Sequence, residues 1–226
     1  MRDPSLPLVT WYDELTGERV ELSGTTFDNW VAKTANFATD ELGLESGDTI
    51  ALLLEPHWSE AVWLATARRL GLTVLSQSDP SAEVTVVGSR DSHDLSVAAH
   101  QLVLMDVRPM SVGLMANTPA GAIDFFSEVR VHGDHYSGPD SDELSVDELS
   151  ATEVESQARR LAADEDFVAE ERLLIASPSG TSTVTRWLAI DPMRRALDAS
   201  IVLAHGAGAQ RLNVIAEQEN VTATML

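Results

Sequence analysis

The stretch from Thr25 to Leu75 constrains the chain more than any other. It spells a helix, a turn, a buried strand, a second helix and a second strand without interruption. Phe27, Trp30, Val31, Thr34, Phe37 and Ala38 repeat at helical spacing, and Thr25 or Thr26 can cap that helix. Gly43 fits the left-handed residue that closes it, and Ser46-Gly47-Asp48 supplies the turn. Ile50 to Leu54 is apolar without alternation, the pattern of a strand covered on both faces. Behind Pro56, Ser59 can cap a second helix carrying Ala61 to Ala65, with Gly71 at its stop. Strand, helix and strand in this order make a right-handed crossover unit of a parallel sheet. The expected class is therefore α/β, with mostly parallel sheets in layers and helices on their flanks. No catalytic constellation lies within the stretch.

On either side the punctuation is similar. Residues 8–22 read as a hairpin around Thr16-Gly17, with Val9, Trp11, Val20 and Leu22 turned inward. Strands are expected over 84–88, 102–107, 125–131, 173–176, 201–204 and 221–226, and helices over 94–99, 147–163, 192–199 and 209–219. Pro192, behind Asp191, fits the first turn of its helix. Residues 109–121 and the stretch HGDHYSGPDSDELS are turn-rich and loop-like. The expectation is one domain over 1–226, with a subdomain break near 108–122.

Composition removes several function classes. A formal charge of −21 and a pI near 4.4 argue against binding a nucleic-acid backbone and fit a solvated surface. With no cysteine, disulfides, thiolate catalysis and cysteine-ligated metals are excluded. No apolar run reaches membrane-spanning length, and MRDPSLPLV lacks the apolar core of a signal peptide, so a soluble, cytoplasmic protein is expected. Lys33 is the only lysine, which leaves one candidate for any mechanism that needs one.

The order of motifs resembles a known family. WYDELTGERVELSGTTFDNWVAKTANFATDELGLESGDTIALLLEPHWSEAVWLATARRLGLTVL is similar to the opening of the adenylate-forming superfamily, which includes acyl-CoA synthetases, luciferases and peptide-synthetase adenylation domains. LDASIVLAHGAGAQRLNVIAEQENVTATML is similar to the strand–helix–strand before that family's acyl pocket. In length and composition the chain most resembles an actinobacterial group of short acyl-CoA-synthetase-like proteins. The resemblance implies an incomplete N-terminal domain of the acetyl-CoA-synthetase-like type, without the C-terminal domain whose lysine activates the carboxylate. Lys33 sits on the first helix and does not match that lysine.

The resemblance also implies a phosphate loop, and two places compete for it. Ser179, Gly180 and Thr181 match its Ser-Gly-Thr start, and Arg186 falls where the family has lysine, but the second glycine and the proline are missing. Alternatively, the loop at 136–142, beginning Tyr136-Ser137-Gly138-Pro139, is a decayed remnant. The longer separation from Val221 favours this second place. Either loop departs from the family pattern. An adenylate needs converging cations, and Arg186 is the one such group on offer.

Four further features have plainer readings. His132, Asp134 and His135 could offer metal ligands, but a solvated turn is the better reading. Gly206-Ala207-Gly208 lies where a dinucleotide-binding turn would, yet Arg211 replaces the third glycine, leaving a plain turn. Ser179 is not in a nucleophile elbow. His57 is expected to cap or pack. No catalytic residue and no metal ligand is assigned. The expectation is a non-catalytic homologue without a cofactor, a binding or interaction protein that associates with itself or a protein partner. The alternative is a nucleotide or acyl-carboxylate module, or part of a split synthetase, holding ATP or AMP with Mg through Ser179, Gly180, Thr181 and Arg186.

Overall fold

A computed structural model describes residues 3–89, 100–107, 119–176 and 182–225. In chain order the strands are β1 (Pro7–Asp13), β2 (Glu18–Ser23), β3 (Thr49–Leu53), β4 (Thr73–Leu75), β5 (Val84–Ser89), β6 (Gln101–Asp106), β7 (Ile123–Asp124), β8 (Ser145–Val146), β9 (Arg172–Ala176), β10 (Ser200–His205) and β11 (Ala223–Met225). The helices are α1 (Gly24–Asp40), α2 (Trp58–Leu70), α3 (Phe125–Glu128), α4 (Ala151–Asp164), α5 (Thr183–Leu188), α6 (Arg194–Ala196) and α7 (Ala209–Gln218). Two compact units result, one of Met1–Asp28, Pro56–Ala61 and Thr152–Leu226, the other of Asn29–Glu55 and Val62–Ala151. The expected break near 108–122 falls largely on residues outside those described, as does the helix expected over 94–99.

The second unit holds a six-stranded sheet ordered β7-β6-β5-β3-β4-β8, parallel throughout. β3 and β4 pair directly, with Ile50 opposite Val74, so the crossover unit read from the sequence is present. Gly43 and Gly71 close α1 and α2 with φ of 69° and 71°, values that only glycine adopts cheaply. An aromatic cluster fills this unit's core: Phe125 lies 5.9 Å from Phe37 and 5.3 Å from Trp63, ring centre to ring centre.

The first unit holds a five-stranded sheet ordered β11-β9-β10-β1-β2. β2 runs antiparallel to β1 through the turn at Gly17, while β1, β10, β9 and β11 are parallel. Tyr12, Leu174, Val202 and Ala204 share one face and bury Ile215 of α7. Trp11, Leu203 and Ile175 alternate to the opposite face and are at most 1% exposed.

Several local expectations are corrected. Residues 125–131 are not a strand but α3 followed by a 3₁₀ turn. The carboxylate of Asp124 accepts from the Ser127 amide and hydroxyl, a helix cap that overrides the strand-like composition. Pro192 does not open a helix; helical backbone begins at Thr183, and Pro192 lies inside a π-type turn over Ala189–Met193. The helix expected from residue 147 starts at Ala151, because Asp147 takes φ of 50° and its carboxylate binds the Ser76 amide and hydroxyl. Ser23, rather than Thr25 or Thr26, caps α1 by accepting from the Thr26 amide, and His57 rather than Ser59 caps α2.

Candidate functional site

In open parallel sheets, ligands bind beyond the carboxyl ends of the strands, where successive connections leave toward opposite faces. The first unit has such a place. Ala176 at the end of β9 is in register with Ala204, and His205 at the end of β10 is in register with Asp13 at the end of β1. Two connections therefore leave one sheet edge side by side, the Gly206–Gly208 turn and the Asp13–Gly17 turn; the segment 177–181 that follows β9 lies outside the described residues. β10 continues into α7, which covers the Tyr12 face. β9 continues into α5, which is held by a segment on the Trp11 face: the Trp11 indole donates to the Pro56 carbonyl at 2.8 Å, and its ring meets His57 at 4.4 Å.

The charged groups around this edge are paired with one another. Asp13 is fully buried and accepts from the Leu15 amide at 3.1 Å and the Thr16 hydroxyl at 2.7 Å, which fixes the hairpin turn. Arg211 pairs with Glu14 at 2.9 Å and lies over the Tyr12 ring. Gly206 takes φ of 71°, and a side chain there would meet Leu15 at 3.1 Å. This turn shapes backbone rather than following a dinucleotide fingerprint.

Arg186 is the one candidate phosphate-loop residue among the described residues; Ser179, Gly180 and Thr181 lie outside them. It sits on α5, 6% exposed, and its guanidinium grips the Glu60 carboxylate bidentately at 2.6 and 3.1 Å. The Trp187 indole donates to the same carboxylate at 2.7 Å. Glu60 is completely buried; desolvation pushes its carboxyl up, opposed by Arg186 and then Trp187. His57 caps α2 through Nδ1 and packs against Trp11 and Trp58.

The competing loop at 136–142 lies in the second unit. Tyr136 folds back over Gly138 so closely that a Cβ there would sit 2.3 Å from its hydroxyl. The Ser141 amide donates to the Arg69 carbonyl, and Asp140 and Asp142 face Arg69 and Arg68. Its exposed carboxylates have the wrong sign for a phosphate cradle. Nearby, Lys33 binds Asp134 and the His132 carbonyl, and Asn36 binds the carbonyls of Gly133 and His135. The His132 ring stands between Asp40 and Glu41, yet among the described residues no three His, Asp or Glu side chains gather as a metal site.

Sequence reasoning missed Glu60. The available signal was a lone carboxylate in the otherwise buried run from Trp58 to Leu64, where an unpaired charge would be prohibitive. It also missed Glu219, for which no local signal exists, because its partners lie far away in the chain.

Comparison with known proteins agrees with the architecture. No family model matches the sequence. An acyl-CoA synthetase of Brucella canis superposes with a TM-score of 0.74 at 16% identity, over 98% of this chain and 44% of its own. The N-terminal domain of FACL13 from Mycobacterium tuberculosis superposes with a TM-score of 0.67 at 14% identity, over 98% of this chain and 58% of its own. The chain therefore has the mixed α/β fold of the N-terminal portion of acyl-CoA synthetases. In sequence it is similar to a TIGR03089 family protein of Mycobacterium tuberculosis, 33% identical over 156 residues that make up 65% of this chain and 64% of that protein. The chain spans less than two thirds of that relative. No helix among the described residues is long and apolar enough to cross a membrane.

Proposed function

We propose that this chain is a non-catalytic homologue of the adenylate-forming enzymes, a cytoplasmic protein that binds or assembles on an inherited scaffold without a nucleotide cofactor. One observation carries the reading: Arg186, the cation at the phosphate-loop lysine position, is buried in a bidentate pair with Glu60. A guanidinium held this way serves folding, and a phosphate would have to displace a carboxylate from a dry site to reach it. Titration calorimetry with ATP–Mg, AMP and a non-hydrolysable acyl-AMP analogue is expected to give no heat of binding. Saturable binding that Ser179→Ala or Thr181→Ala abolishes would overturn the reading.

The second reading is a nucleotide or acyl-carboxylate module. It is favoured by the sequence Ser179-Gly180-Thr181, which falls between β9 and α5 in chain order and matches the start of a phosphate loop. It predicts saturable affinity for ATP–Mg that is lost when Glu60 and Arg186 are together replaced by methionines and the fold is retained. Self-association belongs to the first reading and is tested by light scattering over a hundredfold range of protein concentration.

A further inference from the structure

We propose that Glu219 is the latch of an acid-releasable strap, the α7–β11 segment, which it fastens across the first unit's sheet to the N-terminal hairpin. The latch is one carboxylate collecting donors from three strands. Oε1 accepts from the Tyr12 hydroxyl of β1 at 2.6 Å and from Arg19 of β2 at 2.8 and 3.1 Å. Oε2 accepts from Arg172 of β9. Arg172 is itself oriented by the hydroxyls of Thr10 and Ser200, and Arg19 is shared with Glu21. α7 carries two charges, Glu217 and Arg211, and Arg211 lies over the Tyr12 ring and pairs with Glu14. One side chain thus joins residues 207 positions apart in sequence.

Besides the latch, the strap is held by the short β11–β9 ladder, by Arg172 donating to the Glu219 carbonyl and by the partly buried Leu212, Ala216 and Val221. Of the ten residues of α7 only Ile215 is fully buried, and β11 is a three-residue edge strand with only Met225 buried. Segments with few buried apolar contacts open locally at low free energy. Partial burial alone would raise the Glu219 carboxyl, but the hydrogen bonds from Tyr12, Arg19 and Arg172 outweigh it and hold it below the ordinary carboxylate range. A carboxyl so lowered stabilises the fold above its unfolded-state value and ceases to do so as the pH falls through its folded value. Protonation leaves two arginines facing a neutral acid, so acid opens the strap before the sheet. Opening uncovers Tyr12, Leu174, Val202 and Ala204 together with the outer edge of β9, a surface competent to pair with another chain.

Hydrogen exchange read by mass spectrometry on the full chain tests this. At about pH 7, Glu219→Gln should raise exchange of 209–225 by roughly tenfold or more while β10 and β3 keep their protection. Glu217→Gln on the same helix should change nothing. In the wild type, the Glu219→Gln pattern should appear only as the pH falls below the ordinary glutamate value of about 4.3, after correction for intrinsic rates. Tyr12→Phe, a milder change that removes one donor, gives the same local pattern at smaller amplitude if Glu219→Gln folds poorly. Unchanged protection of 209–225 in these variants would overturn the proposal, as would loss of protection spread evenly over the first unit.

Discussion

Replacing Glu60 by alanine should be among the most damaging single substitutions in this chain. The carboxylate has no exposure to water, and it neutralises an Arg186 that is itself 6% exposed. Alanine removes two charge-assisted bonds from Arg186 and one bond from Trp187, and leaves a guanidinium and an indole N–H without that acceptor. Breaking a buried pair from one side typically costs about 3–5 kcal/mol. Against a total stability of about 5–15 kcal/mol, this is about a fifth or more of what holds a domain folded. For a chain of this size the midpoint of thermal unfolding should fall by roughly 6–20 °C, at about 2–4 °C per kcal/mol. Urea unfolding followed by tryptophan fluorescence and calorimetry would measure it. The double variant Glu60→Met with Arg186→Met should recover most of the loss, since an apolar pair of similar volume escapes the desolvation cost. A Glu60→Ala loss within about 1 kcal/mol would refute the reasoning, because it would mean that the pair is wet or loosely formed.

Gly71→Ala should destabilise by about 1–2 kcal/mol: the residue has φ of 71°, and a Cβ would sit 2.8 Å from the Ser46 hydroxyl. Lys33→Met should free the 132–135 turn from α1 at a cost of about 1 kcal/mol, seen as faster exchange confined to that turn. Because the Glu219 carboxyl is held below its ordinary value, wild type and Glu219→Gln should differ most at neutral pH and converge in acid, as urea titrations across the acid range would record.

The crossover unit was legible because its signals are local. Ile50 to Leu54 is apolar on both faces, Gly43 and Gly71 sit where a left-handed residue ends a helix, and each signal agrees with the next. Phe125 to Val131 misled because its apolar spacing suits a strand, while the deciding group is the Asp124 side chain one residue earlier. Pro192 misled for a different reason: sequence rules place proline at a helix start, but burial of Trp187, Ile190 and Met193 extends helical backbone through it. The site was the least legible part. Arg186 matched a pattern by position, and its actual partner, Glu60, stands 126 positions away in sequence, where a lone carboxylate in an apolar run signals burial but does not name its partner.

The division of the chain into units also dictates an order of assembly. The second unit is complete once residue 151 has been synthesised, whereas the first needs its N-terminal hairpin, the short 56–61 segment and everything from 152 onward. On a ribosome the hairpin therefore precedes its β10 neighbour and waits, with Trp11 and Tyr12 uncovered, until residues 200–205 have emerged. Contacts of such long sequence separation close slowly. The first unit should thus be the late-forming half, and the waiting hairpin the surface that chaperones meet first.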